Sequence, residues 1–353
     1  MRLIDTHAHV LSEETMRLMR AEAPNDGPRL LNPHADGAVL EMMGRSRGNF
    51  PRGAWDMDFR LKTMDDTGVD MQVLSVVPHT LSYDAEPGLA RTFAAIQNEQ
   101  IAAQVRAAPG RFAGLATLPM QSPDAAAREL RRAVTELGLC GAMIGSHVAN
   151  RNLDDPALEP IWQVADELGA LVFIHPHRAG VGERTKAYYL SNLIGNPLDT
   201  TIAAACLVFG GVFQRHPGLK VLLSHGGGFT PYQVGRFVHG WEVRQEPKVT
   251  LDVPPEHDLD LFYYDTLTHS SHTLKSLIEW SGAGRVLLGT DYPFDMGEFD
   301  CAARVKALKL TADEKATILG EAAERLLGLS PAPVGNGIVG RDSAGAEPKP
   351  AGN

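Results

Sequence analysis

Cysteine is scarce in this chain of 353 residues: Cys140, Cys206 and Cys301 are odd in number, far apart and set among apolar or small residues. That excludes a disulfide framework and fits buried, reduced thiols. Long hydrophobic runs are also lacking. Nowhere do about 18 uncharged apolar residues follow one another, so no membrane-spanning helix and no membrane partner are expected. The N-terminus has no basic stretch followed by an apolar core and a cleavage site, and a cytoplasmic location is the expectation. There is no Lys/Arg-rich run, and the net charge is −10, which argues against nucleic acid as a partner. No Gly-rich phosphate loop follows the first apolar run, which removes the main signal for a doubly wound nucleotide fold.

With 44% hydrophobic residues the chain can bury a large core. Short β-rich runs recur at 3–9, 71–78, 112–118, 142–146, 171–175, 220–225, 261–265 and 286–291. Between most of them lie stretches with apolar residues at spacings of three and four, such as 123–137, 158–168, 200–214 and 272–280. This alternation predicts parallel strands joined by crossover helices, an α/β fold. About eight such units predict a (β/α)8 TIM barrel, whose functional groups project from the C-terminal strand ends. Residues 12–58, rich in Pro, Gly, Arg and Trp, are too long for an ordinary connection and are expected to form a lid or insertion. Residues 330–353 lack periodicity and are expected to be a disordered tail, leaving 1–329 as a single barrel domain.

The first run ends in Asp5-Thr6-His7-Ala8-His9, and three others end in His175, His225 and Asp291. In a strand, residues two apart share a face, so His7 and His9 can offer two imidazoles to one cation. A closed barrel brings the first, fifth and eighth strand ends to one axial position, which makes His7, His9, His175 and Asp291 a candidate ligand set for zinc. Such a set leaves room for a water. His225, at the end of the sixth run before Gly226-Gly227-Gly228, is the candidate general acid/base, with a fifth ligand as the alternative. The three glycines are expected to let backbone approach a ligand.

Further segments stand beside these: Met42-Met43-Gly44, Trp55-Asp56, Met64-Asp65, Gly68-Val69-Asp70, Asn152-Leu153-Asp154-Asp155, His175-Pro176, Gly235-Arg236 and Gly289-Thr290-Asp291-Tyr292-Pro293-Phe294. With them the chain resembles the amidohydrolase superfamily, specifically its decarboxylase branch typified by 2-amino-3-carboxymuconate 6-semialdehyde decarboxylase, over about 1–329. The resemblance implies an amidohydrolase-type barrel holding Zn2+, with Mn2+ or another divalent metal as the alternative, on His7, His9, His175 and Asp291. It implies His225 as catalytic acid/base beside Asp291, and a homodimer in which Arg236 reaches the neighbouring subunit's substrate carboxylate. It also implies a carboxylate-gripping Arg from the first long loop, for which Arg45, Arg47 and Arg52 are candidates. Where the branch has His-Pro-Trp-Asp, this chain has His175-Pro176-His177-Arg178, so two potential cations replace an aromatic and an acid, and His177 joins the substrate-binding candidates. The activity implied is metal-dependent, non-oxidative decarboxylation of an aromatic or unsaturated, muconate-type carboxylic acid. A hydrolase or hydratase on the same scaffold is the alternative.

Overall fold

A computed structural model of the chain describes residues 2–179 and 182–329; the tail segment 330–353 lies outside them. Eleven strands occur among these residues: β1 (Ile4–Val10), β2 (Arg29–Leu31), β3 (Gly37–Met42), β4 (Arg45–Pro51), β5 (Met71–Val76), β6 (Phe112–Gly114), β7 (Gly141–Gly145), β8 (Leu171–His175), β9 (Lys220–Leu223), β10 (Tyr263–Asp265) and β11 (Val286–Leu287). Eight of them are parallel. β1, β5 and β6 form one ladder, and β7 to β11 form another in sequence order. Single bridges join the ladders at both seams, Ala116 with Ala142 and Ala8 with Tyr292. Backbone bonds support the second seam, from Thr6 N to Leu288 O at 2.8 Å and from His9 N to Tyr292 O at 2.7 Å. This is the TIM barrel that the alternating runs predicted.

The strands β1, β5, β7 and β8 are buried along their whole length. Parallel strands covered by helices favour apolar residues, which fill β7 and most of β8, whereas β1 also buries Asp5, Thr6, His7 and His9. The crossover helices carry one apolar stripe each. In Pro123–Thr135 the buried positions are Ala125, Ala126, Ala127, Leu130 and Ala133, and the helix opens with proline in its first turn, where the missing N–H costs nothing. Met57–Thr67 is capped by Asp56, which accepts from Phe59 N at 2.9 Å, and it stops at Gly68 in the left-handed region. The expected single helix over 200–214 is divided: Asn196–Phe209 ends at Gly210, Gly211 turns at φ +65°, and Val212–Arg215 follows. A Cβ at Gly210 would sit 2.4 Å from Asp154 Cβ, so close packing there holds the chain to glycine.

The long first connection has its own structure. A helix, Glu13–Glu22, is followed by the antiparallel sheet β2-β3-β4. Met43 and Gly44, both at positive φ, make the two-residue turn between β3 and β4. Met16, Met19, Leu40, Met42, Phe50 and Trp55 pack with Val77, Phe93 and Phe294 of the barrel, so this small sheet is fixed against the C-terminal strand ends.

Candidate active site

Four imidazoles and a carboxylate meet where β1, β8 and the segments after β9 and β11 end. His7 Nε2 lies 3.1 Å from His9 Nε2. Asp291 Oδ1 lies 3.3 Å from His7 Nε2 and 3.1 Å from His9 Nε2. The His175 ring centre is 4.9 Å from that of His9 and 5.2 Å from that of His225. His225 Nε2 is 3.6 Å from Asp291 Oδ2. One ligand atom each from His7, His175, His225 and Asp291 falls within 4.8 Å of the others. His225 and Asp291 both hold left-handed backbone at φ +55°, a conformation that costs energy for a side-chain-bearing residue and concentrates at functional sites.

The bonds behind the rings determine which nitrogens are free. His7 Nδ1 is 2.7 Å from Asp265 Oδ2, His9 Nδ1 is 2.9 Å from Val76 O, and His175 Nδ1 is 2.9 Å from Pro176 O. Each ring therefore donates from Nδ1 and aims Nε2 toward the common space. His175 Nε2 and Asp291 Oδ1 are buried with no hydrogen-bond partner among the described residues. Buried polar atoms without partners are costly, and converging lone pairs are what a divalent cation would satisfy. The nitrogen and oxygen donor set fits zinc, manganese and similar ions.

Charge follows the same pattern. Burial drives His175 well below its ordinary pKa, helped by His9, His225 and His7, and burial lowers His9 as well. Burial opposes the charge on His7 too, but the Asp291 and Asp265 carboxylates outweigh it and raise His7 to about 10. Asp291 is held well below the carboxylate range because His7, His225 and His9 overcome its burial.

Asp265 was not singled out in the sequence. It is fully buried and also accepts from the His225 and Gly226 backbone N–H groups at 2.9 and 2.7 Å. It closes the run 261–265 as Asp291 closes 286–291, and that parallel was the available signal. Asp5 is a second position without an assigned role: it accepts from His7 N, Gln72 Nε2 and Thr290 N at 3.1, 3.0 and 3.0 Å and ties β1 to β5 and to the segment bearing Asp291. Burial pushes its carboxyl up to about 6. The glycines after His225 need a corrected explanation. A Cβ at Gly227 would fall 2.6 Å from the Tyr264 ring, and one at Gly228 would fall 2.2 Å from Pro197 O, so they admit protein packing rather than a ligand.

A cavity of about 450 Å³ opens onto the cluster. His175, His225 and Asp291 line its floor, with Arg45, Arg47, His79, His177, Arg178, Tyr189 and Phe294 among its walls. Arg45 and Arg47 share one face of β4 because they are two residues apart. His177, near-completely buried against Tyr83, is a wall residue and not a solvent-facing loop residue. The substrate expectation for Arg52 is corrected: after Pro51 the chain enters a short turn, and Arg52 pairs with Asp56 at 2.8 Å and lies over Phe59, outside the cavity lining. Arg236 is exposed on the helix Thr230–Val243 and lines a separate groove with Ile202, Phe209 and Phe237, so it does not reach the cavity of its own chain.

Comparison with known proteins agrees with this geometry. The Amidohydrolase family profile matches residues 4–329. A 2-amino-3-carboxymuconate-6-semialdehyde decarboxylase from Dictyostelium discoideum is 38% identical over 330 residues, covering 93% of this chain and 92% of that protein. The crystal structure of 5-carboxyvanillate decarboxylase from Sphingomonas paucimobilis superposes with a TM-score of 0.79 at 26% identity, over 93% of this chain and 99% of that one. A dihydroxybenzoic acid decarboxylase from Polaromonas sp. JS666, solved with bound manganese and 2-nitroresorcinol, gives 0.77 at 26% identity, over 94% and 98% of the two chains. The chain belongs to the amidohydrolase family, in its metal-dependent decarboxylase branch. It is a carboxy-lyase, and the hydrolase or hydratase alternative is not favoured.

Proposed function

We propose that this decarboxylase acts on an aromatic or conjugated carboxylic acid, with His7, His9, His175 and Asp291 holding the metal and His225 supplying the proton. The Nδ1 pattern carries this division. Three rings have a fixed acceptor behind Nδ1, as metal-binding histidines do, whereas His225 Nδ1 has none and its tautomer is left free for proton transfer. The relative solved with manganese and the donor set support Mn2+ or Zn2+.

A bound divalent cation would supply Lewis-acid stabilisation of anionic oxygens on the substrate. The remaining work falls to this chain. Arg47 on β4 fixes the acid in the cavity through charge-assisted bonds. The wall contributed by β3 and β4 restricts water. The bond from the ring or alkene carbon to the carboxylate breaks, its electron pair stays on that carbon, and His225 delivers a proton there as CO2 leaves. His225 then regains its proton from solvent. Arg236 acts in this account from the partner subunit of a homodimer.

The experiment is CO2 release from protein loaded with Mn2+ or Zn2+ and offered hydroxybenzoate-type and carboxymuconate-type acids. Release that disappears on chelation, with one carboxyl lost per CO2, is expected. Consumption of an acid without CO2 would overturn the assignment.

A further inference from the structure

Three arginines line the cavity, Arg45 and Arg47 from β4 and Arg178 from the segment after β8. Arg47 contacts His79 Nε2 and lies over the Phe294 ring, 5.4 Å from its centre. Burial and the Arg47 charge depress His79 to about 3, so this partner is neutral and the Arg47 charge is not offset there. Arg45 and Arg178 converge on one atom. Asp84 Oδ2 lies 3.2 Å from Arg45 Nη2 and is also in contact with Arg178 Nη1.

Two guanidiniums sharing one carboxylate oxygen leave a net positive charge beside the cavity, and Asp84 itself is not part of the lining. Among the described lining residues the carboxylates are Asp291, which belongs to the metal centre, and Asp295. Arg178 holds φ +53°, an uncommon conformation for a residue with a side chain. Beside it, His177 is 5% exposed and lines the same cavity, and its Nε2 has no partner among the described residues. The side chains of Arg45 and Arg178 are 63% and 36% exposed, which sets them toward the mouth and away from the buried histidines.

We infer that Arg45 and Arg178 form a subsite for a second carboxylate on the substrate, which replaces Asp84 on the two guanidiniums when the acid binds. This rests on the reading of the cavity as the acid-binding site of a decarboxylase. The reacting carboxyl lies at the end marked by His175, His225 and Asp291, and the second one at the mouth. Asp84 serves as the exchangeable counterion that keeps the two cations together before substrate arrives. Bidentate capture by a planar guanidinium favours a carboxylate over a neutral group of the same shape.

Calorimetry on the manganese-loaded full chain tests this with benzoate, isophthalate and trans,trans-muconate as probes. The two diacids are expected to bind about tenfold or more tightly than benzoate. Arg178→Gln and Arg45→Gln should remove that advantage and leave the benzoate Kd unchanged. Asp84→Asn should tighten the diacids several-fold with no effect on benzoate, a gain that poor folding cannot produce. Benzoate binding without a diacid advantage, equal losses for all three acids, or weaker diacid binding in Asp84→Asn would overturn the subsite while leaving the decarboxylase reading intact. No binding by any of the three, together with no CO2 release, would overturn both.

Discussion

Asp265 Oδ2 accepts from His7 Nδ1 and from the His225 backbone N–H, and so anchors the turn that presents His225. Asp265→Asn removes the acceptor charge and should weaken metal binding about 10- to 100-fold, read by chelator competition; unchanged affinity would remove Asp265 from the metal centre. His7 makes a pH-dependent prediction. Its pKa is raised to about 10, so in the metal-free protein its proton is bound at pH 8 and must leave when a cation takes Nε2. Metal titration in buffers of different ionisation enthalpy should show about one proton released. Stability has the matching sign. Because the folded pKa is raised, the contribution of protonated His7 to the metal-free fold is complete below the ordinary 6.5 and is lost as pH rises through about 10. The histidines and Asp291 were legible in the sequence because each ends an apolar run, a local signal. The pairing of His7 with Asp265 joins positions 258 apart, and no local pattern announces it.

The first connection shows where reading from sequence stops. Its length marked it as an insertion, but Arg45, Arg47 and Arg52 could not be separated without the strand. Once β4 exists, it brings Arg45, Ser46 and Arg47 to the cavity, and the turn at Pro51 takes Arg52 to Asp56. The strand is irregular, half exposed and, among the described residues, paired with β3 alone, which is why no period of two showed. The turn after β9 is stiffer than its three glycines suggest. Gly228 sits at φ +63° with Pro197 O in the position a Cβ would take. Gly228→Ala should cost about 1–3 kcal/mol in denaturant unfolding, from backbone strain and overpacking, and should displace His225 enough to lower turnover. A stability change within about 0.5 kcal/mol would contradict this packing role.

The barrel itself was legible because most of its parallel strands are apolar and the crossover helices carry one apolar stripe, although the break within 200–214 was not. Assembly was not legible in the same way. Arg236 lies on an outer helix, with exposed Tyr232 on the same helix and Ile202 in the groove it lines, and the proposal puts it into a partner's site. Mixing inactive His225→Asn with inactive Arg236→Ala should then restore about a quarter of wild-type activity, since half of the dimers would carry one complete site of two. No recovery after confirmed subunit exchange would remove the cross-subunit role.

The division of labour among the four histidines is tested most directly by measuring bound manganese and CO2 release on one sample of the His225→Asn protein. A metal content equal to wild type, with release reduced by about 10²-fold or more, is the predicted result. Loss of the metal along with activity would make His225 a ligand and contradict its assignment as the proton donor.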